Sequence, residues 1–168
     1  MSDNHKNKNF SKQFYIVFLL NFLVSLFIAR KYFSFLEDID GFLTHFYLLT
    51  TTFSHFLMIS ALPLLITLLI YFVFKRYYIS LIFNMIFSVV ALLYIQLDTI
   101  VFGQFRYHIS PMVLKMAFGK RATDIFQFST QNIIMAFLFV IALFVLQLLF
   151  HFLGKKISEK NYNLKVRV

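Results

Sequence analysis

The side chains best able to do chemistry are crowded into and just beyond one stretch, Gln96–Gly119, QLDTIVFGQFRYHISPMVLKMAFG. A lone carboxylate, Asp98, is followed by Arg106 and His108, and then by Lys115, Lys120 and Arg121. Two readings of Asp98 follow. In one it ends an apolar span at the membrane interface, solvated or paired with Arg106. In the other it pairs with Arg106 or His108 through a charge-assisted bond and holds the linker against the bundle. Arg106, Lys115, Lys120 and Arg121 can meet lipid phosphates, each basic group near an anionic surface adding about 1 kcal/mol. Ser110 and Pro111 restart a helix, serine as cap and proline at the first helical position, and Gly119 stops it. Met112, Val113, Met116 and Ala117 would form an apolar stripe with Lys115 and Lys120 nearer the polar side. The spacing predicts a short interfacial helix over about 110–118.

No other pattern points to a reaction. The chain has five histidines, scattered, and no carboxylate lies near His45 or His55 in the sequence. Both are expected to hydrogen-bond between helices, and no metal site or cofactor is expected. No Ser/His/Asp arrangement, phosphate loop or HExxH is present. Without cysteine there is no disulfide and no thiol chemistry. Coupled transporters place ionisable groups near the membrane midplane. Here Phe14–Ala29, Phe46–Phe74, Ile79–Leu97 and Ile125–Phe150 hold no Asp, Glu, Lys or Arg. The expectation is therefore neither an enzyme nor a coupled carrier.

These residues must be positioned by membrane helices. The sequence is 60% hydrophobic, with 25 phenylalanines in 168 residues and a mean hydropathy of +0.77, beyond the usual range of soluble domains. Spans need about 20 apolar residues, and four runs qualify: about 14–36, 43–74, 79–102 and 125–152. The expected fold is an all-α, polytopic membrane bundle of four transmembrane helices plus the short interfacial helix. The transmembrane domain would cover 14–153, between a tail at 1–13 and a basic tail at 154–168, both expected to be poorly ordered. Pro63 should kink the second helix, and Asp124 with Gln127 should cap the fourth. With four glycines and no GxxxG, glycine-mediated helix contacts are not expected. Packing should rest on bulky side chains and a few polar ones.

Charge sets the expected orientation. If both tails and Lys75-Arg76 face the cytoplasm, that side holds ten of the sixteen basic residues, and the other side five of the seven acids. Basic residues near spans favour the cytoplasmic side. The net charge of +9 is thereby explained by topology, and no nucleic acid partner is expected.

The pattern Leu97-Asp98, Val101-Phe102, Phe105, His108 and Pro111-x-Val113 resembles the N-terminal membrane domain of the YejM/PbgA family of Gram-negative inner-membrane proteins. Asn21, Ser25-Leu26, Ile28, Tyr32 and His55-Phe56 add to the likeness, which covers roughly residues 14–155. Members of that family carry a fifth span and a periplasmic sulfatase-like domain, which this sequence lacks. The resemblance implies a non-catalytic regulator of lipopolysaccharide and phospholipid balance in the bacterial inner membrane. It would act through membrane lipids, anionic phospholipid among them, and through an adaptor of a membrane protease. Asp98, Arg106, His108, Pro111, Lys115, Lys120 and Arg121 would be its contact residues. The alternative is a small oligomeric channel or holin-like protein lined by Thr50–Thr52, Ser54 and His55.

Overall fold

The computed structural model describes residues 2–35, 40–117 and 130–166. They form α1 (Ser2–Phe33), α2 (Phe42–Phe74), α3 (Tyr77–Phe105), α4 (Pro111–Ala117) and α5 (Thr130–Val166). The described residues contain no strand, and four helices are long and apolar enough to cross a membrane. This is a multi-pass membrane protein.

Side-chain pairs fix the arrangement. Phe10 meets Tyr71 whereas Phe22 meets Phe53, so α1 and α2 are antiparallel. Gln13 meets Tyr77 whereas Tyr32 meets Asp98, so α1 and α3 run parallel. Both α1 and α3 pack against each other, against α2 and against α5, while among the described residues α2 and α5 do not pack together. The central pair is α1 and α3, with α2 and α5 on its flanks. One end of the bundle carries the start of α1, the end of α5 and the α2–α3 turn; the other carries the linker after α3.

The bundle interior joins bulky side chains, Phe14, Phe22, Phe56, Leu92, Ile95 and Leu143 among them, with polar ones. Each helix turns a stripe of small or polar residues inward: Ser60, Pro63 and Thr67 on α2, and Ser80, Asn84 and Ser88 on α3. Gln147, His151 and Ser158 do the same on α5. Other large rings face outward, Phe72 being 80% exposed and Phe27 69%. Lipid tails are as apolar as leucine, so burying phenylalanine gains little, whereas hydrogen bonds and close approach do hold helices together. Asn21 and Gln147 exchange amide bonds at 3.3 and 2.6 Å. Ser60 Oγ donates to Ser25 Oγ at 3.1 Å, and Asn84 donates to Thr67 Oγ1 at 2.9 Å.

Several expectations need correction. The first tail is not separate from its span: α1 is helical from Ser2, because Phe10 stacks on Tyr71 at 3.6 Å and buried Gln13 bonds Tyr77. The last tail likewise continues α5 to Val166, with Ser158 buried. Polarity marks where a membrane ends, not where a helix does. Glycine also mediates a close contact after all. A Cβ on Gly154 would meet the Gln13 carbonyl oxygen at 3.0 Å, so this single glycine lets α5 lie against α1 without a GxxxG pair. Helix α2 is helical on both sides of Pro63, as a kinked helix also is. His45 Nδ1 meets the Gly41 carbonyl oxygen of its own helix at 3.0 Å rather than a neighbouring helix. The Asp124–Gln127 cap lies outside the described residues.

Turns close on left-handed cations. Lys75 (φ 50) ends α2 and Arg106 (φ 62) ends α3, their N–H groups donating to Tyr71 O and Phe102 O at 2.8 and 2.9 Å. A non-glycine residue in this conformation costs about 1 kcal/mol, which a cation at the negative end of the helix dipole partly offsets.

Candidate functional site

Asp98 lies on the inward stripe of α3, with Ile95 and Thr99 beside it, and is only 6% exposed. It does not end the helix, which continues to Phe105. Nor does it pair with Arg106. Tyr32 Oη donates to Oδ2 at 2.7 Å from α1, and the Ile109 N–H donates to Oδ1 at 2.6 Å. His108 Nδ1 lies 2.6 Å from Oδ2; a carboxylate only accepts, so this nitrogen is the donor. Three donors from α1 and the linker thus converge on one carboxylate.

Arg106 does a different job. Having ended α3, it donates from Nη1 to the Phe35 carbonyl at 2.7 Å, its guanidinium 5.3 Å from the centre of the Phe35 ring. That ring lies against Gly103, where a Cβ would come within 2.8 Å of Cζ. The chain therefore folds back over the bundle end: Arg106 fastens it to the end of α1, and His108 and Ile109 fasten it to Asp98. The His108 ring stacks on Phe102 at 4.8 Å, and Tyr32 lies 5.3 Å from Phe102 and 6.0 Å from Phe56. Beyond this clasp Ser110 Oγ accepts the Val113 N–H at 3.5 Å, and Pro111 opens α4.

Beside the clasp an open cleft of about 440 Å³ lies between α1, α2 and α3. Thr51, Thr52 and His55 line it opposite Asp98 and His108, with Tyr32, Phe56 and Phe102 among its aromatic walls. His55 contacts Phe56 edge-on at 5.6 Å.

Of the residues singled out by sequence, Asp98 and His108 meet directly, Arg106 sits beside them, and Pro111 starts the next helix. Lys115 stands apart and exposed on α4. Lys120 and Arg121 lie outside the described residues, as do Phe118 and Gly119 at the expected end of the short helix. Tyr32 as a partner of Asp98 was not foreseen. A tyrosine at the end of one span and an aspartate near the end of another was the available signal, but parallel pairing of the first and third helices had to be known to use it. No group of three His, Asp or Glu side chains that could hold a metal ion occurs among the described residues.

The helices and clasp define a polytopic membrane protein with a linker locked to its bundle by a buried carboxylate. The chain belongs to the family described as domain of unknown function DUF3413, matched over residues 2–167. No curated protein and no solved structure matches it.

Proposed function

We propose that this protein is a non-catalytic regulatory module of envelope lipid homeostasis in the bacterial inner membrane, with both termini in the cytoplasm. It acts through contacts with lipids and membrane proteins at the surface carrying the Asp98 clasp. The observation behind this reading is that residues resembling the YejM/PbgA membrane domain are partners in space. Tyr32, Asp98, Phe102 and His108 form the clasp, Phe56 walls the cleft, and Asn21 and Ser25 hold α1 to its neighbours. A lone carboxylate occupied by three donors suits holding a surface in shape more than proton transfer. The cleft supplies hydroxyls and aromatic walls beside the clasp.

Purification of the native chain from its own membranes, with lipids and proteins identified by mass spectrometry, tests the reading. A protease adaptor or an enriched phospholipid is expected, and Asp98→Asn should reduce adaptor recovery at unchanged expression. Recovery of neither, with rings formed on crosslinking, would favour the channel or holin-like alternative. For orientation, Asp40→Cys should react with an impermeant thiol reagent in spheroplasts and Ser2→Cys should not; the reverse would overturn the assignment.

A further inference from the structure

The cleft beside the clasp is sorted by polarity along its length. Helix direction places Thr51 and His108 toward the linker end, and Ile59 and Ile95 toward the middle of the bundle. The polar groups stand on opposite walls: Thr51, Thr52 and His55 on α2, and His108 on the linker after α3. Between them lie the rings of Tyr32, Phe56 and Phe102. Hydroxyls elsewhere in the bundle are spent on their own helix, Thr67 donating to Pro63 O and Thr99 to Ile95 O. Among the described residues Thr51, Thr52 and His55 make no hydrogen bond, and an ionisable ring within an apolar span is costly without a partner. His108 donates from Nδ1 to Asp98, which leaves Nε2 of the neutral ring as an acceptor, on a side chain 64% exposed. Arg106 is committed to Phe35 rather than to the cleft.

We infer that this cleft binds the ring of an isoprenoid hydroquinone. The flat ring lies among Tyr32, Phe56 and Phe102, where offset and edge-on contacts hold it. One hydroxyl donates to His108 Nε2, and the hydroxyl at the opposite end of the ring bonds His55, with Thr51 and Thr52 beside it. The isoprenoid tail leaves past Ile59 and Ile95. Each part of the ligand thus answers one property of the cleft: ring to aromatic walls, opposed oxygens to opposed polar walls, tail to the apolar end. The volume of about 440 Å³ is ordinary for a small-molecule site. The inference is of binding alone, with no electron transfer. It rests on the surface to which the regulatory reading assigns its contacts, yet the two are separable: adaptor recovery tests that reading, and hydroquinone retention tests this one.

The test uses the full chain in phosphatidylcholine nanodiscs, with decylubiquinol as probe under anaerobic, reducing conditions and its retention quantified by mass spectrometry. Retention should saturate and exceed that of empty nanodiscs. His55→Leu should weaken it about tenfold and Thr51→Val about threefold. Both side chains are exposed and outside the clasp, so these variants keep the fold. His45→Leu, on the same helix but away from the cleft, should leave retention unchanged. The dimethyl ether of the probe keeps ring and tail without donors, and farnesol keeps a tail and a hydroxyl without the ring; neither should displace it. Displacement by either at matched concentration, an equal loss in His45→Leu, or retention no greater than in empty nanodiscs would overturn the site.

Discussion

The two ends of this bundle are fastened by different means. At the linker end one carboxylate gathers a phenol, an imidazole and a backbone amide, and the cation nearest to it is spent on a carbonyl and a ring. Toward the termini the ties are neutral: Asn21 with Gln147 and Gln13 with Tyr77. Neutral amides suffice to hold regular helices side by side, because both partners come from rigid elements. An irregular linker has no such register, and a charge that bonds several donors at once fixes it more firmly.

That contrast predicts a graded set of losses. Asp98→Ala orphans three donors at once and should cost about 3 kcal/mol of stability, seen as a large fall in melting temperature in nanodiscs. If it falls no further than Tyr32→Phe, which removes one bond worth about 1 kcal/mol, the carboxylate is not the hub. Gly154→Val forces α5 off the Gln13 backbone and should cost about 2 kcal/mol. Crosslinking between α1 and α5 should drop with it, while α1–α3 crosslinks persist. Asn21→Leu and Gln147→Leu should each cost about 1.5 kcal/mol by stranding the other amide. The double variant should recover about 1 kcal/mol relative to the sum, and strict additivity would dissolve the pair. Lys115→Gln, on an exposed face of α4, should change stability by less than about 0.5 kcal/mol.

How much of this was readable without coordinates follows from what each signal measures. Apolar runs measure membrane thickness, so the four helices were plain while their ends were not. Gln13 and Ser158 look like tail residues until Tyr77 and the neighbouring helices are placed beside them. The linker was marked by its residue types, but Asp98 was left either ending the span or anchoring the linker, with Arg106 and His108 as rival partners. Choosing between them required knowing that α3 runs on to Phe105. Arg106 is then the left-handed cap and turns to Phe35, which leaves His108 to reach back. Bulky side chains were expected in the core and lie there, Phe14, Phe22 and Phe56 among them, whereas which serines and asparagines join them depends on how the helices pair. Gly154 carried no pattern at all, since one close approach needs only one glycine.

The parallel central helices are joined twice, by Gln13 to Tyr77 and by Tyr32 to Asp98. At 1.5 Å per residue the two rungs are about 30 Å apart along the axis, close to the thickness of a bilayer's hydrocarbon core. With both rungs in place, α1 cannot slide along α3 without breaking one. When the surrounding bilayer thins or thickens, a pair joined this way is expected to tilt as a unit, carrying with it α2 and α5, which are both hydrogen-bonded to it.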